Sequence, residues 1–201
     1  MKIYLISNNL LLDGISYDSN SDLENIRMIR PLSIKGESTA KDFSNSSGLG
    51  SVEKIYSSLY SGAVSASKYL ASKLELSINF DERLNDCKVG ALGSKNMKMV
   101  KGMQDHDFNY KLPGGESLNE VGDRLDNFVS ELIRKNEESV IFTHKRVILG
   151  FLLKYSKIGY NLDDNLILQF NNKQVYDDSE TEIDIYELTI KNNKIIDINR
   201  K

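Results

Sequence analysis

Tryptophan is absent from this 201-residue chain, cysteine occurs once, at Cys87, and proline and histidine occur twice each. A single cysteine excludes an internal disulfide and points away from a thiolate metal cluster. Two histidines, His106 and His144, argue against a multi-histidine metal centre, so neither a metal nor another cofactor is expected. No apolar run approaches the roughly 20 residues that cross a bilayer. The apolar start, Met1 to Ser7, is too short for a signal peptide and no small-residue cleavage site follows it, so a cytoplasmic protein with no membrane partner is expected. The charge balance is 26 basic to 29 acidic residues, net −3, which lacks the basic excess of a nucleic-acid binder. Only seven of the basic residues are arginine, the side chain best matched to phosphate.

What is present suits one globular domain over 1–201, since 40% of the residues are hydrophobic and 27% charged. Four segments read as strands: Lys2 to Ser7, Lys54 to Ser58, Ser139 to His144 and Ile183 to Ile190. The first three lack a polar face, as strands buried on both sides do. Helices are expected over Leu59 to Leu74, Ser117 to Lys135 and Val147 to Tyr155. In the second, Ser117 and Glu120 have the spacing of a capping box, and Leu118, Val121, Leu125, Phe128 and Leu132 form one apolar stripe. Ser44 to Ser51 reads as a loop, with Gly48 and Gly50 too isolated for a phosphate-binding fingerprint. Ile190 to Ile195 reads as a hairpin turning on Asn192 and Asn193. Strands alternating with helices imply an α/β fold, a three-layer α/β/α sandwich around a mostly parallel sheet.

In such a sheet, ligands bind beyond the carboxyl ends of the strands. Three of these ends are polar: Ser7-Asn8-Asn9, Ser57-Ser58 and Thr143-His144-Lys145. They are expected to converge on one pocket.

Six segments recur in a familiar order: KIYLISNN from Lys2; PLSIKG from Pro31, with Ala40; IYSSLYSGA from Ile55, with Ser65 and Ala66; LNDCKVGALG from Leu84; PGGES from Pro113, with Arg124; and VIFTH ending at His144. Together they resemble the histidine phosphatase superfamily, also called phosphoglycerate mutase-like, from Lys2 to about Leu153. The resemblance implies a phosphoglycerate mutase-like fold and phosphoryl transfer through a phosphohistidine. It also implies two arginines and a second histidine around the phosphate, and a carboxylic acid that protonates the leaving oxygen. A neutral imidazole offers a lone pair near pH 7, and guanidinium groups match phosphate oxygens in pairs.

The departures fall on the reacting groups. By this correspondence the opening arginine is Ser7, the nucleophilic histidine Asn8, the following glycine Asn9, and the second arginine Gly62. The acid corresponds to Asp86 and the second histidine to His144, followed by Lys145. An amide nitrogen has no free lone pair, and losing a nucleophile costs on the order of 10⁶ in rate in another enzyme class. The resemblance therefore implies a degenerate site, a pseudoenzyme that is weak or inactive by the phosphohistidine route. Such a site would bind a phosphorylated or polar small molecule, or a partner protein. The alternative is an active phosphatase on small phosphomonoesters with compensating residues. A large mutase is disfavoured, because the stretch from Gly93 to Pro113 is short.

The candidate catalytic residues are thus His144 and Asp86, with Asn8 at the nucleophile position. The candidate ligand contacts are Ser7, Asn8, Asn9, Ser57, Gly62, Glu116 and Lys145. Each has a plainer role available: a hydrogen-bonded strand-end histidine for His144, a turn residue for Asp86, a favourable charge at a helix start for Glu116. His106 reads as an exposed loop residue, Arg146 as solvated surface, Cys87 as packing, and Met97, Met99 and Met103 as a flap or local core.

Overall fold

The computed structural model describes residues 1–13, 22–179 and 181–201. Its first strand, β1 (Lys2–Asn8), shows why the chain folds in layers. Ile3 and Leu5 point into one apolar core and Tyr4 and Ile6 into another, because successive strand side chains take opposite faces. The short helix α1 (Leu23–Ile29) and α2 (Ile34–Ser46) follow, then β2 (Lys54–Ser57), α3 (Ser61–Leu74) and β3 (Ile78–Phe80). After a 3₁₀ turn (Glu82–Leu84) come α4 (Met97–His106), α5 (Leu118–Lys135), β4 (Ser139–Phe142) and α6 (Lys145–Leu153). The chain ends in β5 (Lys157–Tyr160), β6 (Leu166–Phe170), β7 (Lys173–Asp177), β8 (Ile183–Lys191) and β9 (Lys194–Arg200).

The central sheet has six strands in the order β3-β2-β4-β1-β8-β9. The pairs from β3 to β1 are parallel, and β8 and β9 add an antiparallel edge, so the sheet is mixed. Helices α2 and α3 cover one face, through Ala40, Ala63, Ala66 and Leu70. Helices α5 and α6 cover the other, through residues such as Leu125, Phe128, Ile148 and Phe151. This is the expected three-layer arrangement. The capping box forms: Glu120 N–H donates to Ser117 Oγ and Ser117 N–H to the Glu120 carboxylate. The hairpin also forms, with Asn192 and Asn193 at φ of 51° and 58°. Where α5 and α6 cross, backbone meets backbone: a Cβ on Gly150 would lie 2.4 Å from Leu118 O.

Several elements depart from expectation. A second sheet, β5-β6-β7, packs Leu166, Leu168, Val175 and Tyr176 onto the α5–α6 core. Its β6–β7 turn uses Asn171 and Asn172 at positive φ, the same device as in the hairpin. The expected loop at Ser44 to Ser51 begins inside α2, where Ser46 Oγ donates back to Asp42 O at 2.8 Å. The methionine group and His106 lie on α4, whose buried residues are Val100 and Gln104.

Candidate functional site

Two of the three polar strand ends, those of β1 and β4, line one cavity; that of β2 does not, and its Ser58 meets His144 from behind the lining. The cavity, of about 230 Å³, lies beyond the carboxyl ends of β1 and β4 and the start of α3. Its lining includes Ser7, Asn8 and Asn9, Gly62, Asp86, and Thr143 to Arg146. His144 sits between β4 and α6 and is fixed from three sides. Thr143 anchors the turn, its N–H donating to Ile6 O at 2.8 Å and its hydroxyl to Leu84 O at 2.7 Å. The imidazole Nε2 lies 2.9 Å from Ser58 Oγ, and Nδ1 lies 3.9 Å from Asp86 Oδ2. The Tyr60 ring packs edge-on at 4.9 Å between centroids. Ser58 Oγ also accepts Tyr60 N–H at 3.3 Å, so its own proton is free to go to Nε2. That assignment puts the imidazole proton on Nδ1, facing the Asp86 carboxylate.

Burial pushes His144 below its ordinary pKa of 6.5, with Asp86 opposing, so the ring is neutral at pH 7. Burial opposes ionisation of Asp86, but the charged form of His144, the Arg27 guanidinium and the Cys87 N–H outweigh it and hold Asp86 below its ordinary value. Arg27 reaches Asp86 Oδ2 at 2.5 Å and also binds the Glu24 carboxylate and Cys87 O. Burial works against the Arg27 charge, and Asp86 and Glu24 more than restore it.

The first strand end is committed elsewhere. Asn8 Nδ2 donates to Gly36 O at 3.0 Å, and Asn8 Oδ1 accepts Leu10 N–H at 3.1 Å. Ser7 Oγ donates to Asn9 Oδ1, while Asn9 Nδ2 donates to Thr181 O and Asp184. At Gly62 the space is filled: an added Cβ would meet Leu11 Cδ2 at 2.5 Å, and Leu11 is tied to Leu32 by a β-bridge.

Two expected contacts lie outside this cavity. Ser57 is fully buried and donates to Ser58 O, so Ser58, one residue on, is the serine that meets His144. Glu116 sits in a separate depression, paired with Arg124 at 3.0 Å and accepting Lys88 N–H, where it clamps a loop. Arg146, expected on solvated surface, is largely buried: it pairs with Asp105 at 2.5 Å and Gln104 at 3.1 Å and lines the cavity. Lys145 also lines it and donates to Ser179 O. His106 does not line it; its ring stacks on Tyr160 and faces Asp164. Two further cations, Arg27 and Arg30, enter from around α1, a stretch with no recognisable motif in the sequence. Among the described residues the lining thus holds four cationic side chains and the Asp86 carboxylate, and the three arginines also pair with Glu24, Asp13 and Asp105. Among the described residues no group of three or more acidic, histidine or cysteine side chains could hold a metal, and no helix is long and apolar enough to cross a membrane.

A mixed six-stranded sheet between helix layers, with a histidine and an acid at its carboxyl end, defines a phosphatase-like α/β frame. The histidine phosphatase superfamily (branch 1) model matches residues 28–177, and the chain belongs to that superfamily. The match begins at Met28, beyond the strand that carries Ser7, Asn8 and Asn9. A comparison with curated protein sequences finds no match. Among solved structures, the chain is similar to mycobacterial glucosyl-3-phosphoglycerate phosphatase in complex with inorganic phosphate (TM-score 0.68, 15% identity, covering 100% of this chain and 95% of that one). The VO₃ complex of that enzyme is similar too (TM-score 0.67, 16% identity, 99% and 96% covered). So is the alpha-ribazole phosphatase of Shigella flexneri (TM-score 0.64, 14% identity, 96% and 92% covered).

Proposed function

We propose that this cavity binds a phosphorylated or otherwise anionic small molecule, and that the phosphohistidine route is closed in this chain. The observation that carries the reading is the state of Asn8. It stands where the family resemblance puts the nucleophile, and both ends of its amide are spent on backbone groups. An amide cannot accept a phosphoryl group, and this one is also turned to structural use. The filled space at Gly62 supports the same conclusion, since an arginine there would have to displace Leu11. His144 offers no ready substitute: Ser58 occupies its Nε2, and its Nδ1 faces Asp86.

Anion binding has a separate basis. Arg27, Arg30, Lys145 and Arg146 bring four cationic side chains to the cavity beside Asp86; Glu24, Asp13 and Asp105 pair with the three arginines, and the neutral His144 adds no charge of its own. Each cation is held by a protein acceptor, which fixes the donors in place before a ligand arrives. One phosphatase of similar fold has been solved with phosphate and with VO₃, which supports that chemistry in this frame. Residues 1–201 act as one domain in this reading, since β8 and β9 complete the sheet that β1 enters.

The test pairs calorimetric titration of inorganic phosphate with an assay on p-nitrophenyl phosphate. Phosphate binding without turnover is expected. Turnover at ordinary enzymatic rates that survives Asn8→Ala and disappears in His144→Gln would overturn the reading, in favour of a phosphatase working through compensating residues.

A further inference from the structure

Beside the cationic cavity lies a second one, of about 250 Å³, and Arg27 and Arg146 line both. Its other walls differ in chemistry. Val89, Met97, Val100 and Cys87 supply apolar surface, the exposed Lys88 and Lys98 stand at its rim, and Lys101 is paired with Asp178 at 3.2 Å. Burial pushes the Cys87 thiol up to about 12, so it stays protonated and presents a small, nearly apolar group. Gln104, the uncharged polar side chain of this lining, has no donor left for a ligand. Its Nε2 donates to Tyr110 O at 3.2 Å and Glu116 O at 2.9 Å, and its Oε1 accepts from Arg146 at 3.1 Å.

Hydroxyl groups laid against the Val89, Met97, Val100 and Cys87 surface would lose hydrogen bonds to water without replacement there. An apolar group would gain by leaving water, and the flexible thioether of Met97 could adjust to its shape. Arg27 and Arg146 line both cavities, so a charged group held by these guanidinium groups lies next to the apolar surface of the second.

We propose that the two cavities are the lobes of one site for an amphipathic anion. Its phosphate-like head lies at Arg27 and Arg146, and its aromatic or branched aliphatic body lies against Val89, Met97 and Val100. This deepens the anion-binding reading above and rests on it.

Calorimetric titration with three defined probes tests the idea. Methylphosphonate carries the head alone, 1-naphthylphosphonate carries the head with an apolar body and cannot be hydrolysed, and glucose 6-phosphate carries a polar body. The naphthyl compound is expected to bind about tenfold tighter than methylphosphonate or better. Glucose 6-phosphate is expected to bind no tighter than methylphosphonate. Met97→Gln, at an exposed position that the fold does not depend on, is expected to narrow the gap between the two phosphonates. Equal affinity for the two phosphonates, tighter binding of glucose 6-phosphate, or an unchanged gap in Met97→Gln would each overturn the two-lobed site while leaving the anion cavity standing. Failure of all three probes to bind would instead overturn the anion reading itself.

Discussion

Ser58 Oγ lies 2.9 Å from Nε2 of His144, and this contact decides what the one imidazole of the cavity can do. Nδ1 faces the Asp86 carboxylate, which favours the Nδ1–H tautomer and makes the Ser58 hydroxyl, which also accepts Tyr60 N–H, the donor to Nε2. In Ser58→Ala that donor is lost and Nε2 is left without a partner. The expected cost is about 1–3 kcal/mol of stability, as for a buried acceptor deprived of its hydrogen bond. The pKa of His144 should also rise, since the donor favoured the neutral ring. Urea unfolding reads the first effect and imidazole nitrogen NMR the second; a wild-type ring protonated on Nε2 at pH 7 would contradict the assignment.

Acid should weaken the fold in two stages. The folded pKa of His144 lies below its ordinary value of 6.5. Between those values the unfolded chain binds a proton that the folded chain does not, so stability falls as pH drops below about 6.5. Asp86 has a lowered pKa, so its contribution is present above the ordinary carboxylate range and is lost as pH falls through it. His144→Gln removes the first stage and weakens the second, because the charged ring is the strongest of the groups that hold Asp86 down. Urea midpoints at pH about 7.5 and about 5.5 should therefore differ less in His144→Gln than in the wild type. An equal difference would show that His144 titrates normally.

Much of this frame was legible in the sequence, and the limits of that legibility are physical. β1, β2, β4 and β8 are apolar segments with deeply buried positions, so their composition marks them. β3 and β5 carry little buried surface, with Phe80, Ile158 and Tyr160 exposed, and so leave little pattern to read. Helix α4 buries only Val100 and Gln104 and exposes three methionines. At the site, His144, Asp86 and the Asn8 strand end were visible through their motif context. Arg27 and Arg30 were not, because only the folded path of the chain brings them to the cavity. The choice of Ser57 over Ser58 failed by one residue, which on a strand end changes the direction of the side chain.

Arg27 should matter to binding more than any family motif suggests. It is the guanidinium that touches Asp86 and lines both lobes. Arg27→Met removes a charge-assisted donor, a loss of about 1.5–3 kcal/mol, or roughly ten- to a hundredfold in phosphate affinity. It should also raise the pKa of Asp86 toward the ordinary range. Arg27→Lys should recover only part of the affinity, because the ammonium lacks the planar fork. Calorimetry with inorganic phosphate makes the comparison, and wild-type affinity in Arg27→Met would remove this residue from the site.

The space at Gly62 gives a prediction about restoring the family arginine. Leu11 Cδ2 would lie 2.5 Å from any Cβ placed there. Gly62→Arg alone should therefore destabilise the chain, by about 1–3 kcal/mol for an overpacked site. Leu11→Ala on its own also costs stability, through lost packing. The double variant should be more stable than the two separate losses add up to, since the smaller residue opens the space that the arginine needs. A double-mutant cycle by chemical denaturation measures the difference, and strict additivity would mean that Leu11 does not block the position.

Where α5 and α6 cross, helix backbone meets helix backbone. A Cβ on Gly150 would lie 2.4 Å from Leu118 O and 2.9 Å from Gly122 N, which are backbone atoms and cannot rotate away. Gly150→Ala must push the helices apart. The usual gain from replacing a helical glycine, about 1 kcal/mol, is then outweighed by the cost of opening a close-packed core. Since α6 begins at Lys145, directly after His144, displacing it also moves the imidazole relative to Ser58 and Asp86. Gly150→Ala is therefore expected to lower the melting temperature and to disturb the His144 tautomer together, whereas Gly102→Ala, on α4 with nothing within 4 Å of its Cβ position, should leave both intact. A stabilised Gly150→Ala variant with an unchanged imidazole spectrum would show that the two helices do not meet through their backbones.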